Sequence, residues 1–86
     1  MPMRLSPAAY VIRVMHGVRA TARVVGCYPS TVYKWLWPLE KRGCGGEIPR
    51  LARRAILIYA KAHGLDINAT DLEEGRVVDE VGGEVA

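Results

Sequence analysis

Ala22, Gly26, Val32 and Trp35 follow one another at intervals of four, six and three positions in a chain of 86 residues. No other feature restricts the fold as much. Two short helices that meet nearly at right angles through a tight turn need a small side chain where they touch, which Ala22 supplies. The turn needs a residue that adopts the left-handed backbone conformation at no steric cost, which Gly26 supplies. Val32 and Trp35, three apart, form the inward stripe by which the second helix grips the first. Val25 and Cys27 flank the turn as buried plugs. An isolated alanine four residues before a glycine would mean nothing; four agreeing positions define a scaffold.

The rest of the chain fits helices around that scaffold. Ser6 before Pro7 is a helix start, a hydroxyl cap followed by the one residue that loses no hydrogen bond at the first helical position. Ala8, Val11, Ile12 and Met15 then make one apolar stripe, predicting a first helix over residues 7–16. Residues 18–26 predict a second helix. Residues 29–37 predict a third, opened by Pro29 and stopped by Pro38. The glycine-rich stretch 40–47 lacks the lysine and hydroxyl ending of a phosphate-binding loop and follows no strand, so it reads as a flexible connector. Pro49 opens a fourth helix that ends at Gly64. On it Ile48, Leu51, Ala52, Ala55, Ile56, Ile58, Tyr59 and Ala62 cover an arc wider than one small core absorbs, with Leu57 stranded among basic residues. The surplus either meets a partner, with Leu57 and Ile58 as the candidate dimer interface, or packs under the loop and tail. Asn68 or Thr70 caps one more helical turn.

The reading is therefore an all-α fold, a compact bundle of four to five helices over residues 1–74, with residues 75–86 as a flexible acidic tail. The tail alternative is a short strand through Val77, Val78 and Val81. Eighty-six residues, half of them hydrophobic, support one core and no second domain. No stretch is apolar enough for a membrane span, and the run from Ala8 to Met15 is broken by Arg13 and lacks a cleavage site, which predicts a cytoplasmic protein. Cys27 and Cys44 have no metal-binding spacing relative to each other or to His16 and His63, so no metal or cofactor is expected.

The charge is unevenly placed. Residues 1–63 carry eleven Lys and Arg against Glu40 and Glu47, a net of +9, whereas residues 64–86 carry Arg76 against seven acids, a net of −6. A body this basic attracts a polyanion.

The segment Gly17-Val18-Arg19-Ala20, then Ala22-Arg23, then Gly26-Cys27-Tyr28-Pro29-Ser30-Thr31-Val32-Tyr33-Lys34-Trp35 resembles the helix-turn-helix of the lambda-repressor/Cro-like superfamily. It is most similar to the small Cro- and YdaS-like phage regulators. Gly45-Gly46-Glu47-Ile48-Pro49 is similar to the glycine-rich approach to the fourth helix in such proteins, and the likeness covers residues 6–72. It departs at Tyr28, where many relatives have a capping Ser or Thr. Either Ser30 caps from one turn in, or Tyr28 is turned to DNA contact.

The resemblance implies a third helix lying in a major groove. Tyr28, Ser30, Thr31, Tyr33 and Lys34 are then the base-contacting candidates, and Arg19, Thr21, Arg23, Lys41 and Arg42 the phosphate-contacting ones. Trp37 is divided between this face and burial against the fourth helix. The partners implied are double-stranded DNA and a second copy of the chain, with no small-molecule substrate. The function implied is Cro-type repression at a two-fold operator, as a phage or prophage nucleoid-associated factor. Two alternatives are an architectural or excisionase-like DNA-binding factor and a protein-interaction module on the same fold. No catalytic residues are expected, because neither histidine has a carboxylate or nucleophile near it in sequence.

Overall fold

The computed structural model describes residues 2–79. In chain order these form β1 (Pro2–Leu5), α1 (Pro7–Val14), α2 (Val18–Val25), α3 (Pro29–Leu36), a single 3-10 turn (Leu39–Lys41), α4 (Arg50–His63), α5 (Ala69–Glu74) and β2 (Arg76–Asp79). None of these helices is long and apolar enough to cross a membrane.

Local chemistry sets the helix ends. The Ser6 hydroxyl accepts the Ala9 amide at 3.3 Å and Pro7 opens α1. Asn68 and Asp71 exchange side-chain-to-amide bonds, both at 3.0 Å, which caps α5. The core joins all five helices: Ala8, Tyr10 and Val11 from α1, Ala22 from α2, Val32 and Trp35 from α3, Ala52, Ile56 and Ala60 from α4, and Leu72 from α5, with Met15, Ile48 and Ile67 from the connections. The buried indole N–H of Trp35 finds no acceptor among the described residues. That costs about 1–3 kcal/mol against the gain from burying the ring.

The fold is mostly helical, with five helices, and adds a small two-stranded sheet to the expected bundle. Of the two readings of the C-terminal stretch, residues 76–79 follow the strand, through Val77 and Val78. β1 and β2 pair antiparallel, with Met3 opposite Val78 and Leu5 opposite Arg76. β1 is too short to announce itself by alternation, and what fastens the pair is remote in sequence. The Arg76 guanidinium donates to both oxygens of Asp71, at 2.9 and 2.6 Å, and reaches Asp66 as well. It lies 4.8 Å above the Tyr10 ring, whose hydroxyl donates to the Asp66 carbonyl at 2.7 Å. Hydrogen bonding from Arg76 holds the Asp66 carboxyl below its ordinary range. Arg76 therefore engages two carboxylates of the acidic C-terminal stretch, Asp71 buried in the fold and Asp66 at its surface. The part of the tail reading that concerns residues 80–86, Val81 included, lies outside the described residues.

The glycine-rich stretch is not a flexible connector. Cys44, Gly45 and Gly46 donate their amides to the carbonyls of Lys34, Trp37 and Trp35, at 2.9, 2.8 and 2.7 Å. The Gly46 carbonyl then accepts the Ala8 amide at 2.9 Å. These bonds satisfy the carbonyls that a helix end leaves orphaned, and they tie the end of α3 to the first turn of α1. A side chain at Gly43 would collide with Trp37, and one at Gly46 would come within 2.6 Å of the Ser6 Cβ. Gly43 is there because its backbone passes very close to that of Trp37, and Gly46 because its backbone passes close to the Ser6 side chain at a positive φ of 88°.

On α4 the apolar arc divides. Ile56 and Ala60 face inward, while Leu51 is 90% exposed and Ile58 60% exposed. Leu57 is half-buried against the core, because one residue along a helix turns the side chain by about 100°. Leu57 and Ile58 therefore do not share a face. The outward stripe is Leu51, Ala55, Ile58 and Ala62, at intervals of four, three and four, beside Arg54 and Lys61.

Candidate nucleic-acid interface

The turn between α2 and α3 is built as its spacing predicts. Gly26 takes the left-handed conformation, φ 83° and ψ 37°, and its amide donates to the Ala22 carbonyl at 2.8 Å. The Cys27 amide shares that acceptor at 3.0 Å. A Cβ at Gly26 would meet no atom, so only the backbone angle demands glycine there. Ala22, Val32 and Trp35 are all buried at the junction of the helices. Val25 and Cys27 are only half-buried, and burial pushes the Cys27 thiol pKa up, which keeps it protonated.

With Val32 and Trp35 turned inward, the other side of α3 faces water. Ser30, Thr31, Tyr33 and Lys34 are exposed. Trp37, the residue that closes the helix, is also exposed rather than packed against α4. Ser30, Tyr33, Lys34 and Trp37 sit at i, i+3, i+4 and i+7, so they form one stripe along the helix. Trp37 is thus the residue that the sequence reading left undecided and the geometry adds. Periodicity alone sets Trp37 in line with the stripe, and its exposure is what the fold adds.

Tyr28 precedes α3 in an extended conformation, makes no side-chain cap, and is 80% exposed. Ser30 does not cap in its place. Pro29 has no amide hydrogen and the Thr31 amide donates to the Tyr28 carbonyl at 2.9 Å, which leaves the Ser30 amide pointing out of the helix start.

Of the expected phosphate-contacting residues, Arg19 and Arg23 are exposed on α2. With Ala22, Cys27, Pro29 and Tyr33 they line a cleft of about 410 Å³ between α2 and α3. Two cations of α2 and two α3 residues, Pro29 and Tyr33, therefore converge. Thr21 is a correction: it is fully buried, and its hydroxyl donates to the Gly17 carbonyl at 2.8 Å, so it supports the start of α2 and cannot touch a phosphate. Lys41 and Arg42 are exposed beyond the end of α3 and do not line that cleft. A larger cleft of about 530 Å³ includes Arg23, Val24, Tyr59 and His63, with no residue of α3. Among the described residues no three of His, Cys, Asp and Glu stand together as a metal site would require.

Comparison with protein-family models, with curated proteins and with solved structures gave no match for the chain.

Proposed function

We propose that the chain is a sequence-specific DNA-binding regulator of the Cro-like helix-turn-helix kind. In this reading α3 lies in the major groove and the chain acts as a repressor on a two-fold operator, as a dimer. One observation carries the proposal: the packed Ala22, Gly26, Val32 and Trp35 junction leaves Ser30, Tyr33, Lys34 and Trp37 in one outward stripe, with Arg19 and Arg23 on the adjoining helix. That is the division of labour DNA recognition requires, base-reaching side chains on one helix and phosphate-reaching cations on its neighbour. A module this small makes few base contacts, so pairing two copies on a symmetric site supplies specificity that one lacks. Leu51 and Ile58 on the outward stripe of α4 are the residues for that pairing.

Selecting bound duplexes from a random pool, then titrating the best of them against salt, tests the proposal. Lys34→Ala should weaken binding by about 1–3 kcal/mol and relax one position of the selected site. Arg19→Ala should weaken all sequences alike and reduce the log-log salt slope by roughly one. Binding that is indifferent to salt would sink the reading. Protection of tandem direct repeats instead of one palindrome would move it to a DNA-bending factor.

A further inference from the structure

We infer that α3 reads DNA mainly through apolar contact with thymine methyl groups, made by Tyr33 and Trp37, and that Lys34 is its one hydrogen-bonding reader of a base pair. This rests on the DNA-binding reading above and specifies what that surface recognises. The residues of α3 are Pro29, Ser30, Thr31, Val32, Tyr33, Lys34, Trp35 and Leu36. None is Arg, Asn or Gln, the side chains that bond bidentately to guanine or adenine, and none is Asp or Glu, which accept from cytosine. Lys34 can reach guanine through a single ammonium. Hydroxyls such as that of Ser30 bond to any base and discriminate little.

What the face has in quantity is exposed aromatic surface. Tyr33 is 53% exposed and Trp37 45% exposed, four residues apart on the same stripe, so their Cβ atoms stand about 6 Å from each other. The C5-methyl of thymine is the apolar group that a major groove presents. Trp37 is also firmly placed. Its amide donates to the Lys34 carbonyl at 3.2 Å, its carbonyl accepts Gly45 at 2.8 Å, and Gly43 packs against it too closely to carry a side chain. Two aromatic groups set on a helix that is anchored at that end suit a target with thymines at fixed spacing.

The test uses the full chain and one duplex recovered from the selection, made once with thymine and once with uracil in place of every thymine. Uracil keeps the pairing and the O4 acceptor and lacks only the methyl. Loss of a packed methyl lowers affinity about fourfold, so two should give more than tenfold. Tyr33→Ala combined with Trp37→Ala should bring the thymine-to-uracil ratio to near one, with thermal melting showing that the chain still folds. Lys34→Ala should lower affinity for both duplexes and keep their ratio. Equal affinity of the unaltered chain for the two duplexes would overturn the inference while leaving DNA binding intact. If the selection yields no duplex that the chain prefers to random DNA, the underlying reading falls and the inference with it.

Discussion

The two ends of α3 are held in opposite ways. At its start the chain turns through Gly26, which is glycine for its dihedral angle alone, and Tyr28 leaves the first turn without a side-chain cap. At its end, three amides from Cys44, Gly45 and Gly46 close on the carbonyls of Lys34, Trp37 and Trp35, and Gly46 passes the connection on to α1. There glycine is required by space: Gly43 abuts Trp37, and Gly46 abuts Ser6 while also holding φ at 88°. A helix gripped at its C-terminal end and left bare at its N-terminal end presents its first turn outward in a fixed direction. Tertiary anchoring is thus confined to one end of eight residues, although exposed side chains run along the whole helix.

The largest way to break this arrangement is Gly43→Ala. The added Cβ would press into the Cβ and carbonyl of Trp37, and backbone cannot yield as a flexible side chain does. The expected loss is about 3 kcal/mol or more, a large part of the stability of a domain this size. Thermal unfolding should move down by on the order of 15 °C. A shift of only a few degrees would mean that the loop gives way and does not anchor α3.

This clasp is also where sequence reasoning stopped short. The scaffold was legible because Ala22, Gly26, Val32 and Trp35 answer to local rules of periodicity and dihedral preference, and the helix start at Ser6 answers to local capping chemistry, as does the last one once Asn68 is chosen over Thr70. Gly43, Gly45 and Gly46 read as a flexible connector because their reason lies in contacts remote from their own dihedral preferences, with the Trp37 backbone and the Ser6 side chain. A strand through Val77 and Val78 is one of two readings of the C-terminal stretch, and what decides for it is hidden likewise: the role of Arg76 depends on Asp66, Asp71 and Tyr10 meeting around it. Thr21 misled for a related cause, since a hydroxyl near a helix start suits a phosphate and a backbone carbonyl equally. Within the candidate interface, exposure of Tyr33 and Lys34 followed from the core stripe. The place of Trp37 required knowing that α4 does not cover it.

Gly26→Ala sharpens the contrast from the other side. No atom obstructs the new methyl group, so only the left-handed backbone resists it, at about 1–2 kcal/mol. Gly26→Asn should cost less, because asparagine tolerates that conformation better than alanine. The pair of melting temperatures separates the two kinds of glycine: at position 26 asparagine should recover part of what alanine loses, whereas at position 43 the larger side chain should be worse than alanine. Equal losses for alanine and asparagine at position 26 would show that the turn is limited by space after all.

The smallest expected effect has the opposite sign. Tyr28→Ser restores a hydroxyl at the residue that begins α3, where it can accept an amide from the first turn, and should stabilise the chain by about 1 kcal/mol. The same change removes an aromatic side chain that is 80% exposed and contributes little to the core. If Tyr28 stands where a cap belongs because it touches DNA, the variant should melt higher and bind its selected duplex more weakly. A gain in stability with unchanged affinity would leave the bare start of α3 without a functional reason. A loss of stability would show that the Tyr28 ring packs on its neighbours in a way its exposure conceals. Melting and binding measured on one variant therefore decide whether the open end of this helix is held open for contact.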